Sequence, residues 1–199
     1  MTELYLIRHG ETELNVKGVY YGWTDCCLSE RGLAQAEELS DILQDVRFDV
    51  VVSSNLKRAI DTAVIVSDFP TDGIIMDERL RELNFGAWEG LHFREVQEKH
   101  REAWELWGKD WINASPPSGE SFKDIYNRVK ECIGEILTEY KGKRILVVSH
   151  QGTMRLIPMI LLGLPEEGYW SFTAEHGRYS LLQIDEAGRC IVRKINCGR

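Results

Sequence analysis

Three stretches of this chain place reactive or hydrogen-bonding side chains directly after a short apolar run. Arg8-His9-Gly10 follows Leu4-Tyr5-Leu6-Ile7, Ser53-Ser54 follows Phe48-Asp49-Val50-Val51-Val52, and Ser149-His150-Gln151-Gly152 follows Arg144-Ile145-Leu146-Val147-Val148. A histidine held on rigid backbone, with arginine before it and glycine after it, is a candidate nucleophile. Its ring nitrogen is nucleophilic when neutral, and an unperturbed imidazole titrates near about 6.5. Glycine at the next position permits a sharp turn and lets a ligand approach the backbone. Arg58 comes one helical turn after Ser54, and a helix follows His150 at once, offering free N–H groups and a positive dipole end. Two histidines, two arginines and a helix N-terminus around one point describe an anion pocket. The chain as a whole has a net charge of −8, so a local gathering of cations is informative.

Each residue also has a plainer reading. His9 taken alone serves as well as a structural histidine. Arg8 or Arg58 singly serves as a salt bridge between helix and sheet. Glu82, next to Arg81, reads as a solvated carboxylate, and Asn15 as a turn cap. Trp104, Trp107 and Trp111, spaced i, i+3, i+7, form either core packing or a wall on which a heteroaromatic group stacks.

The elements that must position these residues follow from periodicity. Apolar runs without Gly or Pro read as buried strands, and strands of one parallel sheet share a carboxyl edge where ligands bind. His9 and His150 should therefore face each other. Ser29 reads as the N-cap of a helix over about 30–44, with Leu33, Ala36, Leu39, Ile42 and Leu43 on one face. A second helix carries Leu56, Ala59, Ile60, Ala63 and Val64, and Ile74-Ile75-Met76 suggests a short third strand. The strand–helix alternation then breaks over 78–120, an insertion expected to be helical over about 92–107. Ser121 with Asp124 resembles a capping box opening a long helix through Tyr140. A strand over 144–148, a helix over about 152–162 and a hairpin of Tyr179–Ile184 with Arg189–Ile195 complete the chain. The pattern predicts a three-layer α/β/α architecture with a mostly parallel central sheet.

The 199 residues, 43% hydrophobic and 28% charged, suit one domain over 1–199, with the 78–120 insertion shaping the substrate pocket. No basic stripe suggests nucleic acid, and no polybasic segment suggests a membrane surface. No run of about 18 apolar residues exists. The first strand begins at once with no secretory leader, so a cytoplasmic location is expected. The five cysteines (Cys26, Cys27, Cys132, Cys190 and Cys197) include no C-x-x-C, and the adjacent pair is poor geometry for chelation or an ordinary disulfide. Reduced thiols without a shared role are expected. Neither H-E-x-x-H nor an acidic cluster with hard-metal spacing occurs, so no metal and no cofactor is expected.

Five blocks carry a family resemblance. They are Leu6-Ile7-Arg8-His9-Gly10-Glu11-Thr12 with Asn15, Leu28-Ser29-Glu30-Arg31-Gly32, Ser53-Ser54-Asn55-Leu56-Lys57-Arg58-Ala59, Leu80-Arg81-Glu82-Leu83-Asn84-Phe85-Gly86-Ala87-Trp88-Glu89-Gly90, and Val148-Ser149-His150-Gln151-Gly152. In this order the chain resembles the histidine phosphatase superfamily, with its phosphoglycerate-mutase-like fold. The resemblance implies that His9 accepts the phosphoryl group, with a backbone carbonyl in the Gly10 turn fixing its tautomer. Arg8 and Arg58 would hold phosphoryl oxygens, joined by Asn15, Gln151 and His150, the last as an imidazolium. Glu82 would protonate the leaving oxygen, a role calling for burial that raises its pKa. Gly22 and Trp23 lie in a loop where the family often contacts substrate, and Trp111 belongs with them.

Within that family, Asp110-Trp111-x-Asn113, Pro116, Gly119-Glu120-Ser121-Phe122 and the His-Gln-Gly ending are similar to the α-ribazole phosphatase branch. That branch implies α-ribazole 5′-phosphate as substrate and a place in cobalamin synthesis. A cofactor-dependent phosphoglycerate mutase, a broad-specificity sugar-phosphate phosphatase and a non-catalytic binder of phosphorylated ligands remain as alternatives. The compact chain favours water as the phosphoryl acceptor. The expected partner is a small phosphomonoester, with no nucleic acid or membrane, and a homodimer is left open beside a monomer.

Overall fold

The computed structural model describes residues 1–198. Its sheet has six strands in the order β3-β2-β4-β1-β5-β6, formed by Thr2–Arg8 (β1), Val50–Ser53 (β2), Ile75–Met76 (β3), Arg144–Ser149 (β4), Tyr179–Ile184 (β5) and Cys190–Cys197 (β6). The first four run parallel, and β5 and β6 close one edge as the expected antiparallel hairpin. The mostly parallel α/β architecture is thus as the alternation predicts.

Strand side chains alternate between the two faces, and both faces are covered. Leu4, Leu6, Ile145 and Val147 pack with helices Phe122–Glu139 (α6) and Gln151–Leu161 (α7). Tyr5, Ile7, Leu146 and Val148 pack with helices Glu30–Leu43 (α2) and Lys57–Ser67 (α3). Burial on both sides explains the uninterrupted apolar runs read from the sequence. Truncating a residue such as Leu146 to Ala would cost about 2–5 kcal/mol.

Caps set the helix starts. Ser29 accepts from the Gly32 N–H, and Ser121 and Asp124 form the predicted reciprocal box, each such cap contributing about 1 kcal/mol. A short helix, Glu13–Lys17 (α1), is boxed by Thr12 and Asn15.

Some expectations need correcting. Leu33 does not join the buried face of α2; it is 42% exposed, and Gly32, Ala36, Leu39 and Leu43 make that face. Phe48 precedes β2 and packs edge-on against Tyr5. The helix expected over 92–107 is two helices, Phe93–Lys99 (α4) and Arg101–Lys109 (α5), with His100 at φ −131°, ψ 40° between them. Phe93, Val96, Trp104 and Trp107 keep a helical period across that break, so nothing in the apolar pattern reveals it.

Register aligns the site. Arg8 pairs with Ser149, Ile7 with Val148, and Ser53 with Val148. The His9 N–H donates to the Ser149 carbonyl at 2.9 Å, and the Ser54 N–H to Val148 at 3.0 Å. The residues just past β1, β2 and β4 therefore emerge side by side, at the edge where α7 begins.

Candidate active site

His9 and His150 face each other with ring centroids 5.1 Å apart, His9 being 3% exposed and His150 fully buried. His9 Nδ1 is 2.7 Å from the Gly10 carbonyl. An oxygen acceptor there places the proton on Nδ1 and leaves Nε2 with its lone pair, the tautomer a nucleophile needs. Burial, followed by His150, Arg58 and Arg8, holds His9 well below 6.5. It is therefore neutral at neutral pH.

The arginine readings resolve on their partners. Arg58, at the start of α3, is fully buried and donates through Nη1 to the Thr24 carbonyl at 2.9 Å and through Nη2 to the Gly22 carbonyl at 2.6 Å. Arg8 donates to the Ala174 carbonyl at 3.0 Å, and its guanidinium is lowered chiefly by burial. Among the described residues neither pairs with a carboxylate, so neither is a helix–sheet salt bridge. Carbonyls orient a guanidinium without cancelling its charge. Two uncancelled positive charges in a low-dielectric site are an anion trap.

His150 departs from expectation. Burial first, then Arg58 and Arg8, holds it well below 6.5, so the protein's own groups favour neutral imidazole over the expected imidazolium. Nε2 meets the Ser54 hydroxyl at 2.9 Å while Nδ1 is buried without a partner. Ser54 also receives the Leu56 N–H; with the Ser54 proton turned to Nε2, the ring carries its own proton on Nδ1, where no other group of the chain meets it. The two negative charges of a phosphate monoester would push His150 back toward imidazolium.

Glu82 lies in irregular chain between β3 and α4. Its oxygens accept the Leu83 N–H at 2.9 Å and the Gly152 N–H, at the mouth of α7, at 2.9 Å. A Cβ at Gly152 would collide with this carboxylate, which accounts for glycine after His150-Gln151. The burial expected of Glu82 is only partial.

Asn15 meets its reading as a turn cap. Its Oδ1 receives the Thr12 N–H at 3.1 Å and the Tyr21 hydroxyl at 2.7 Å, which caps α1 and fixes the amide so that Nδ2 remains to donate. Tyr21 lies beneath the Arg58 guanidinium, 4.8 Å from ring to Cζ, tying Asn15 to the same cluster.

Gly22 and Trp23 brace the site and do not line its cavity. Gly22 holds Arg58, and Trp23 Nε1 donates to the Glu82 carbonyl at 3.1 Å. Their loop is clamped by Glu89, which accepts the N–H groups of Gly22, Trp23 and Thr24 at 2.8–2.9 Å and the Thr24 hydroxyl.

Beside Glu82 opens a cavity of about 360 Å³ walled by Trp107, Trp111, Phe122, Tyr169 and Trp170, with Gln151 and Arg155 on the α7 side. The tryptophan stripe therefore divides. Trp104 packs at 5.7 Å on fully buried Trp88, Trp107 touches both Trp88 and the cavity, and Trp111 lies on the cavity against Phe122. Burial, with the nearby charge of Glu82, pushes the Tyr169 phenol up to about 12, so it stays a hydrogen-bond donor.

Sequence reasoning gave no role to Ser54, Tyr21, Glu89, Arg155 or His176. Arg155 had a usable signal, since it lies at i+4 from Gln151 on one helix face. His176 had none. It sits before β5, its Nδ1 donates to the His9 carbonyl at 2.6 Å, and burial and Arg8 lower it to about 4.

Residues 4–197 match the profile of the histidine phosphatase superfamily (branch 1). The chain belongs to that superfamily. This histidine phosphatase is 39% identical over 184 residues to the adenosylcobalamin/alpha-ribazole phosphatase of Escherichia coli, covering 92% of this chain and 90% of that one. It is 35% identical to phosphoserine phosphatase 1 of Hydrogenobacter thermophilus, covering 98% and 92%. Among solved structures, the alpha-ribazole phosphatase of Shigella flexneri superposes with a TM-score of 0.92 at 39% identity, over 98% of this chain and 96% of that one. The phosphoglycerate-mutase-like fold and the assignment as a phosphatase rest on these likenesses together.

Proposed function

We propose that this phosphatase transfers its phosphoryl group to His9 Nε2 and then to water, and that its substrate is α-ribazole 5′-phosphate, in cobalamin synthesis. The observation that carries the chemistry is the His9 ring, locked by the Gly10 carbonyl and held neutral between His150 and two arginines that carbonyls orient without neutralising. The Nε2 lone pair forms an N–P bond as the P–O bond to the alcohol breaks. Glu82 gives its proton to the departing oxygen. Water then attacks phosphorus, returns a proton to Glu82, and releases inorganic phosphate and free His9. Arg8, Arg58, Asn15, Gln151 and His150 are the donors to the three phosphoryl oxygens. Charge neutralisation and positioning of this kind is most of what phosphoryl transfer requires.

The aromatic cavity beside Glu82 supports the substrate reading. The alcohol leaves on the Glu82 side, and the seven aromatic side chains lining the cavity there suit a flat base better than a small charged amino acid. Initial rates with α-ribazole 5′-phosphate, ribose 5-phosphate and O-phosphoserine test this. The base should raise kcat/KM at least about 10-fold over ribose 5-phosphate, the scale of one well-filled apolar pocket. Equal rates with and without the base, or a preference for O-phosphoserine, would overturn the substrate assignment and leave the chemistry standing.

A further inference from the structure

Residues 81–84, which carry Glu82, belong to no helix or strand. Backbone polar groups in such a half-buried segment need partners from elsewhere. One side chain reaches two carbonyls of this segment and a third just before it. Arg128, in the second turn of α6, donates Nη1 to the carbonyls of Arg79 at 2.7 Å and Arg81 at 2.8 Å, and Nη2 to the carbonyl of Glu82 at 2.9 Å. Its remaining two donors, Nε and Nη2, bind both oxygens of Glu120 at 2.8 Å. All five guanidinium N–H groups are thus used. Glu120 extends the grip, since Oε2 also accepts the Asn84 N–H at 2.9 Å, and its own N–H donates to the Asn84 carbonyl at 2.9 Å. The segment is held on both sides of Glu82 by a single ion pair that is 15% and 17% exposed at its side chains.

We infer that Arg128, locked by Glu120, is a positioning residue that sets the Glu82 carboxyl against the leaving oxygen. The inference rests on the reading of Glu82 as leaving-group acid. Arg128 touches no phosphoryl oxygen; it acts by fixing backbone. No other side-chain type can replace it, because only a guanidinium has the planar fork that meets three carbonyls and a carboxylate at once. Lysine could satisfy at most three of the five partners.

A misplaced acid has a distinct signature. Alkyl phosphates need a proton delivered as the P–O bond breaks, whereas p-nitrophenolate leaves without one. The test compares kcat/KM for an alkyl ester with that for p-nitrophenyl phosphate in one preparation. The ratio of the two is independent of how much of the protein is active, so partial misfolding does not disturb it. Arg128→Met and the milder Arg128→Lys should lower the alkyl-to-aryl ratio at least about 10-fold and about 3-fold, towards the value for Glu82→Gln. In the Glu82→Gln background neither change should lower it further. An unchanged ratio with both rates reduced equally would make Arg128 a stabilising residue only and overturn the inference. A further fall in the ratio without Glu82 would also overturn it. If Glu82→Gln alone costs both esters equally, it is the acid role of Glu82 that fails, and that single variant reports it separately.

Discussion

The phosphate-facing cluster and the aromatic cavity lie about one turn of α7 apart, from Gln151 to Arg155, yet they are built by opposite means. The cluster sits on strand ends, with Arg58 and His150 fully buried and Arg8, His9, Arg58 and His150 each anchored through at least one nitrogen to backbone or to Ser54. The cavity rests on α6 and α7 on one side and borrows its other walls from short, irregular pieces. Helix α5 has no buried residue, the Glu166–Ser171 segment is a 3₁₀ helix, and Trp170 is 60% exposed. Electrostatic stabilisation works only when dipoles and charges are fixed before the reaction. Stacking on an alcohol group tolerates looser geometry. On the proposed function, the rigid part of the fold holds phosphorus and the more adaptable part receives the rest of the substrate.

If that division is right, damage to the cluster should be large and indifferent to the alcohol. Arg58→Ala should cost about 10³-fold in kcat/KM on every ester, p-nitrophenyl phosphate included, because it removes a charge from phosphorus and frees the Gly22–Thr24 loop. A loss confined to one ester would dissolve the boundary between the regions.

Within the insertion, Trp104 and Trp111 should separate. Trp104→Ala should destabilise the fold by about 2–4 kcal/mol, read by urea unfolding, because it strips contacts from Trp88. Its ratio of rates between α-ribazole 5′-phosphate and ribose 5-phosphate should not change. Trp111→Ala should raise KM for the base-bearing ester about 10-fold and spare ribose 5-phosphate. The reverse outcome would put the substrate wall at Trp104.

The smallest effect is on acid stability. His9, His150 and His176 are all held below 6.5, mainly by burial, His176 to about 4. The unfolded chain therefore takes up protons that the folded chain refuses. The stability they confer is complete above about pH 6.5 and is lost as pH falls, by up to about 1.4 kcal/mol per histidine per pH unit. For His176 the loss ends near about 4, where the folded imidazole also protonates. His176→Asn keeps a donor for the His9 carbonyl and should remove one share of this slope between about pH 6.5 and 5. Stability that rises on acidification would contradict the buried neutral state.

The strand ends were legible in the sequence because parallel strands buried on both faces leave unbroken apolar runs, and Ser53 and His150 mark where those runs stop. The insertion was legible in part. Its aromatic content is plain, but the break at His100 preserves helical spacing, and which tryptophan faces a cavity depends on packing against Trp88 from a distant turn. Expected charge and burial failed where a group's state depends on neighbours remote in sequence. His150 is neutral chiefly because it is buried, with Arg58 and Arg8 adding to the effect, and Glu82 is held by α6 and α7, none of which a local reading supplies.

The central claim is that His9 carries the phosphoryl group. Mixing the protein with ³²P-labelled substrate and quenching in alkali within the first turnovers preserves an N-linked phosphoryl group, and peptide mapping locates it. The account predicts label on the peptide containing His9, absent from His9→Ala, in an otherwise folded protein whose turnover has fallen at least about 10³-fold. Label on another residue, or His9→Ala retaining more than about 1% of the rate, would contradict it.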